Sequence, residues 1–224
     1  MTSPDEVALA TVELLGALTY GQLRSFQVTA SAIRLAPDAR SADRLADFAV
    51  REHRAYELLR EHLRNRTDLP AAVMDRQKPL FDAYFDGVEL DTWRSANAFF
   101  ALGLPLAADF IRQIAPALSP ETALVVVGAL ADRGPFESFA LQALLGEMTD
   151  DESRAQARHL IADILGRALT GFQGAIADTD ALQVLLRADQ GGDDTGNDLV
   201  RATAMAVLEG HRRRMHTLGL EEVD

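Results

Sequence analysis

The five histidines set the first limit on what chemistry this chain can do. His53, His62, His159, His211 and His216 follow Val50, Leu59, Gln156, Leu208 and Arg213 at a spacing of three, so no acid-x-x-His pair exists. That spacing matters because residues i and i+3 leave one helix face together, which lets one turn offer both an oxygen and a nitrogen ligand to a metal pair. Glu52 adjoins His53, but neighbouring helical residues point about 100° apart, so the two cannot serve one site without local unwinding. The absence of cysteine removes disulfides, thiolate zinc sites, iron–sulfur clusters and a cysteine nucleophile. Gly-x-Ser-x-Gly is absent, and Gly191-Gly192 follows no strand, so neither an acyl-transfer serine nor a nucleotide loop is present.

The elements that must position any remaining site are helices. Ser3 caps a first helix with Pro4 in its first turn, and Val7, Thr11, Leu14, Leu18, Gln22, Phe26, Thr29 and Ile33 recur along it until Pro37. A second helix opens near Ser41 with Leu45, Phe48, Glu52, Tyr56, Leu59 and Leu63 on one face, where Glu52 is the misfit. Residues 65–79, with two prolines, read as a connection followed by at most a short helix. Asp91 caps a third helix with Trp93, Asn97, Phe100, Leu104, Ala107, Ile111 and Ile114 inward, ending at Pro116. Ser119-Pro120-Glu121 starts a fourth, with Val125, Ala129, Asp132, Phe136, Phe139 and Ala143 inward. A fifth spans about 150–176, an exposed Gly191–Gly196 loop follows, and a last helix runs from about Asp198 to Leu218. No strand is expected.

One domain over 1–224 accounts for the even composition, 48% apolar and 25% charged. The longest uncharged run, Ser95–Ala108, is too short to cross a bilayer, and the N-terminus lacks a secretory pattern, which makes the cytoplasm the expected compartment. A net charge of −12 repels nucleic acid at long range. The arginines from Arg51 to Arg66 alternate with Glu57 and Glu61 as on a solvated helix face. Arg212-Arg213-Arg214 suit the negative end of a helix dipole and read as structural.

Several segments together resemble the actinobacterial ferritin-like proteins related to the tRNA hydroxylase that acts on methylthio-isopentenyladenosine. They are Tyr20-Gly21-Gln22-Leu23, the Glu52–Tyr56 segment, Ala107-Ala108-Asp109-Phe110, Leu130-Ala131-Asp132-Arg133-Gly134 and His211 through Leu220. Their order spans nearly the whole chain. The resemblance implies an all-α fold, with a ferritin-like antiparallel four-helix core and additional C-terminal helices, and a di-iron site between the core helices.

Where the family carries its ligands, this chain has Gln22, then Glu52 with Ala55, then Leu104, then Asp132 with Pro135. Only Glu52 and Asp132 remain as candidate ligands, so no metal, no cofactor and no catalytic residue is expected. Pro105 and Pro135 fall inside the third and fourth helices, where each should kink or break the backbone and free the carbonyls of Ala101 and Ala131. The expected function is a non-catalytic binding or scaffold protein, homodimeric, with an unidentified protein partner. The alternatives are a non-haem hydroxylase using two Fe ions, and a binder of an apolar small molecule between the kinked helices near Leu104, Phe100, Phe136 and Phe139.

Overall fold

Helix α1, Pro4–Ala32, opens on a reciprocal cap in which Ser3 Oγ accepts the Glu6 amide at 3.2 Å and the Glu6 carboxylate accepts the Ser3 amide at 2.7 Å. The computed structural model describes residues 3–130, 133–178, 181–185 and 195–220, and their side chains except at 130, 172–178, 195–200 and 202. A single 3-10 turn, Ile33–Leu35, leads into α2, Ala39–Arg64. This helix begins before Ser41, because Asp38 caps it by accepting the Ser41 amide at 2.7 Å. The short connection makes α1 and α2 antiparallel neighbours.

The segment expected as a connection is largely helix: α3 runs Pro70–Asp86. Pro70 sits in its first turn, a position that favours proline, and Pro79 is carried inside the helix on an exposed face. Two prolines were thus poor evidence of a loop. Arg24 on α1 pairs with Asp82 and Asp86, and Tyr20 donates to Asp82 at 2.7 Å, which fastens α3 along α1.

Thr92, not Asp91, caps the next helix, exchanging hydrogen bonds with Ser95. It runs α4, Trp93–Ala98, a π turn Phe99–Gly103, then α5, Leu104–Ile114. The helix does not stop at Pro105, but its α ladder is interrupted just before it. The Leu104 amide instead reaches back to the Phe99 carbonyl, and this wider turn accommodates the proline that an α-turn would exclude. Trp93–Ala117 is, by length and composition, the one helix among the described residues apolar enough to cross a membrane, and 78% of its most apolar window is buried in the protein. It is longer than the uncharged run suggests, and the bundle surrounds it.

Helix α6 covers Pro120–Leu130 and α7 covers Gly134–Glu147 with Pro135 in its first turn, and the expected break at the Ala131 carbonyl lies outside the described residues. Helix α8, Asp151–Asp178, follows an Asp150 cap, and a helical turn occupies 181–185. Most of the expected Gly191–Gly196 loop lies outside the described residues, and α9, Thr195–Leu218, closes the chain. Gly219, at φ 62°, ends α9 and lets the Leu220 amide bond Met215 at 3.0 Å.

The core has two apolar clusters. One gathers Phe48, Phe99, Phe100, Phe136 and Ile161, with Phe48 stacked on Phe136 at 4.4 Å. The other gathers Leu15, Leu59, Leu63, Ile111, Ile114 and Val126. No strand occurs among the described residues.

Candidate functional site

Glu52 is only 5% exposed, on the α2 face turned towards α1, and one oxygen of its carboxylate gathers three donors. Oε2 accepts from Gln22 Nε2 at 2.5 Å, from Ser25 Oγ at 2.5 Å and from Arg133 Nη2 at 2.9 Å. The same Arg133 nitrogen donates to Gln22 Oε1 at 2.7 Å. Gln22 can therefore take only one amide orientation, with nitrogen on the carboxylate and oxygen on the guanidinium. The Glu52 and Arg133 side chains are 6% and 13% exposed, so the pair is shielded from solvent.

Arg133 stands immediately before Gly134 and Pro135 at the start of α7, with φ −81° and ψ −18°.

The other expected positions distribute unevenly. Leu104 is buried, Ala55 is half-buried on α2, and Pro135 is exposed on α7. Asp132 lies outside the described residues. His53 faces Phe26, with ring centroids 5.1 Å apart, and lies 3.4 Å from Glu57, so it does not join Glu52.

Among the described residues, the donor set around Glu52 does not fit a di-iron pair. One carboxylate, an amide, a hydroxyl and a guanidinium meet there, and the cation already satisfies the charge that iron would. Among the described residues, no group of three or more His, Cys, Asp or Glu side chains could hold a metal ion.

Beside this cluster lies a cavity of about 260 Å³ lined from α1, α2, α3, α5, α6, α8 and α9. Its wall is mostly apolar, including Leu18, Phe81, Leu104, Phe110, Leu165 and Val207, while Gln22, Ser25 and Arg133 form a polar border. The cavity takes residues of both core clusters. Phe100 and Phe136 do not line it: they pack against each other at 4.9 Å in the core, and Phe139 lies 5.5 Å from Phe48. Of the four residues expected around an apolar ligand, Leu104 alone lines this space.

Two of the histidines, His62 and His211, are buried, while His159 and His216 are exposed. His62 is buried, with Nε2 3.2 Å from Thr122 Oγ1 and Nδ1 3.0 Å from Arg66, so the arginine donates and Nε2 carries the proton. Burial, then Arg66, lowers its pKa. Burial, then Arg214, does the same to His211, whose Nδ1 has no hydrogen-bond partner. Arg214 is buried and donates to Asp109 at 2.8 Å and Glu137 at 3.1 Å, joining α9 to α5 and α7, while Arg212 and Arg213 are exposed. Gly210 allows this approach, since a side chain there would strike Asp109.

The family model for the ferritin-like domain of actinomycetes matches residues 5–189. The chain belongs to that family. A search of curated proteins finds no match to it.

Arg133 and the cavity are what sequence reasoning missed. The resemblance drew attention to Asp132, and the signal for its neighbour was a buried glutamate that needed a cation, beside an arginine placed just before a Gly-Pro helix start. The cavity was obscured because residues 65–79 were expected as a connection with at most a short helix after it, whereas α3 runs from Pro70 to Asp86 and brings Phe81 and Tyr84 to the cavity wall.

Proposed function

We propose that this chain is a non-catalytic binding protein that has exchanged the ferritin-like di-iron centre for a Gln22–Glu52–Arg133 network and holds an apolar small molecule inside the bundle. The observation that carries this is the cavity of about 260 Å³ bordered by that network. An apolar space of this kind accepts hydrophobic guests, as a cavity of about 150 Å³ accepts benzene. By proportion, its size suits an apolar body of roughly ten carbon atoms.

Naphthalene, with a body of that size, tests the reading through its own fluorescence on titration with protein. Saturable binding at one site per chain is expected, lost in Ala17→Phe, which fills the cavity from α1. Absence of saturable binding, or equal binding to the filled variant, would count against it. Metal analysis of protein grown with excess iron separates the hydroxylase alternative: two irons per chain with an oxo-bridge absorption would replace our reading.

Leu124 is 76% exposed and Val127 41% exposed on one side of α6, which supports a homodimer as the assembled form. Sedimentation that reports a monomer at every concentration would remove that part.

A further inference from the structure

We propose that the cavity's ligand is an extended, unbranched hydrocarbon chain of about ten carbons, lying along α1 with its methyl end at Gln22 and Ser25 and an uncharged polar head at Glu13. This deepens the ligand-binding reading and rests on it.

The shape of the space carries the proposal. On α1 the wall runs from Glu13 through Ala17 and Gly21 to Ser25, about 18 Å of helix at about 1.5 Å per residue. On α3 it runs from Gln77 to Phe85, and on α5 from Leu104 to Ile111, each about 10–12 Å. Helix α3 lies alongside α1, and it lies close: a Cβ at Gly21 would meet the Phe81 ring at 2.5 Å. A volume of about 260 Å³ spread over about 12–18 Å has a mean cross-section of roughly 14–22 Å². Carbon atoms in contact sit about 3.5–4.0 Å apart, so this column is about one hydrocarbon chain thick. An all-trans chain advances about 1.25 Å per carbon with its ~1.5 Å bonds. Ten carbons therefore reach roughly 11–12 Å, which matches the α3 and α5 walls while also matching the volume. A compact body of the same carbon number leaves part of that length empty.

The two ends of the column differ, and the difference orients the chain. Gln22 and Ser25 are 4% and 2% exposed, and their side-chain donors are committed to Glu52. A polar head placed there would lose its water and find no donor free, which is costly, whereas a methyl group loses nothing. Glu13 at the other end keeps 22% of its side chain exposed, so a head beside it stays hydrated. Glu13 and Arg133 are the charged residues lining the cavity among the described residues, and Arg133 is matched by Glu52. A carboxylate head would stand beside the Glu13 carboxylate, whose partner Arg76 is exposed and outside the cavity wall. A hydroxyl head avoids that repulsion.

The test is calorimetric titration of the wild-type protein with hexan-1-ol, octan-1-ol, decan-1-ol, cyclodecanol and decanoate. From hexanol to decanol each added CH₂ should tighten binding about fourfold. Cyclodecanol carries the same ten carbons and hydroxyl in a compact ring. With each affinity referred to the ligand's own partition into octanol, it should bind at least about tenfold more weakly than decanol. Decanoate should bind more weakly than decanol, and in Glu13→Gln that gap should narrow by about tenfold. A gain that stops before decanol, or a ring that binds as well as the chain on the partition scale, would overturn the extended chain and leave the cavity reading standing. An unchanged gap in Glu13→Gln would overturn the placement of the head. Failure of decanol while naphthalene binds would overturn this inference alone, and failure of both would overturn the cavity reading with it.

Discussion

Replacing Arg133 with Met removes the guanidinium but keeps much of the side chain's apolar bulk, which isolates the charge at the centre of the bundle. In the native protein Glu52 accepts from Gln22, Ser25 and Arg133, with both members of the ion pair well below one-fifth exposed. Arg133→Met leaves a buried carboxylate with two neutral donors and no cation. Breaking a buried pair from one side costs about 3–5 kcal/mol, and the two remaining donors place this case at the low end, about 3 kcal/mol. Glu52→Gln leaves a buried guanidinium instead and should cost a similar amount. With both substitutions no charge remains to be stranded, so the double variant should be more stable than the sum of the singles predicts, by about 2 kcal/mol or more. Urea unfolding at neutral pH, followed by circular dichroism, measures all four proteins. A domain of this size shifts its melting temperature by about 2–4 °C per kcal/mol, so each single variant should melt roughly 6–12 °C lower. Strict additivity would show that Glu52 and Arg133 do not depend on each other, and the account of Arg133 as the charge partner would fail.

Phe136→Ala should cost about 3–5 kcal/mol, because Phe136 is 4% exposed and stacks on Phe48 at 4.4 Å; chemical denaturation reads this, and a loss below about 1 kcal/mol would contradict such packing. Folded His62 and His211 hold their protons less readily than unfolded ones, so the unfolded chain binds more protons and stability should fall as pH drops below about 6.5. Melting temperatures from neutral to mildly acidic pH should therefore decline less in a His62→Gln, His211→Gln double variant; an unchanged slope would remove the histidines as the cause. Pro135→His with Leu104→Asp adds two family-like donors, yet it should take up no stoichiometric iron, since position 135 is exposed and Arg133 already holds Glu52. Metal analysis of that purified variant decides the point, and iron binding would show that the helix can present the site after all.

Fold class was legible in the sequence because helical signals are local. Ser3-Pro4 and Ser119-Pro120 mark helix starts through groups a few residues apart, and the three- and four-residue apolar spacing marks a buried face wherever the chain folds. The misplaced Glu52 was legible for the same reason: a charge on an apolar stripe must meet a partner inside. What the partner is cannot be read locally, since Arg133 lies 81 positions away and meets Glu52 only when α7 packs beside α2 in the folded bundle. The same limit applied to the prolines. A proline signals a missing donor and a bulky ring, but only packing decided that Pro70 begins a helix, that Pro79 is carried within one, that Pro105 is absorbed by a π turn and that Pro135 sits in the first turn of α7. The cavity belongs wholly to tertiary structure, because several helices far apart in sequence bound it, and a volume between helices depends on their separation, which no periodicity along one helix encodes.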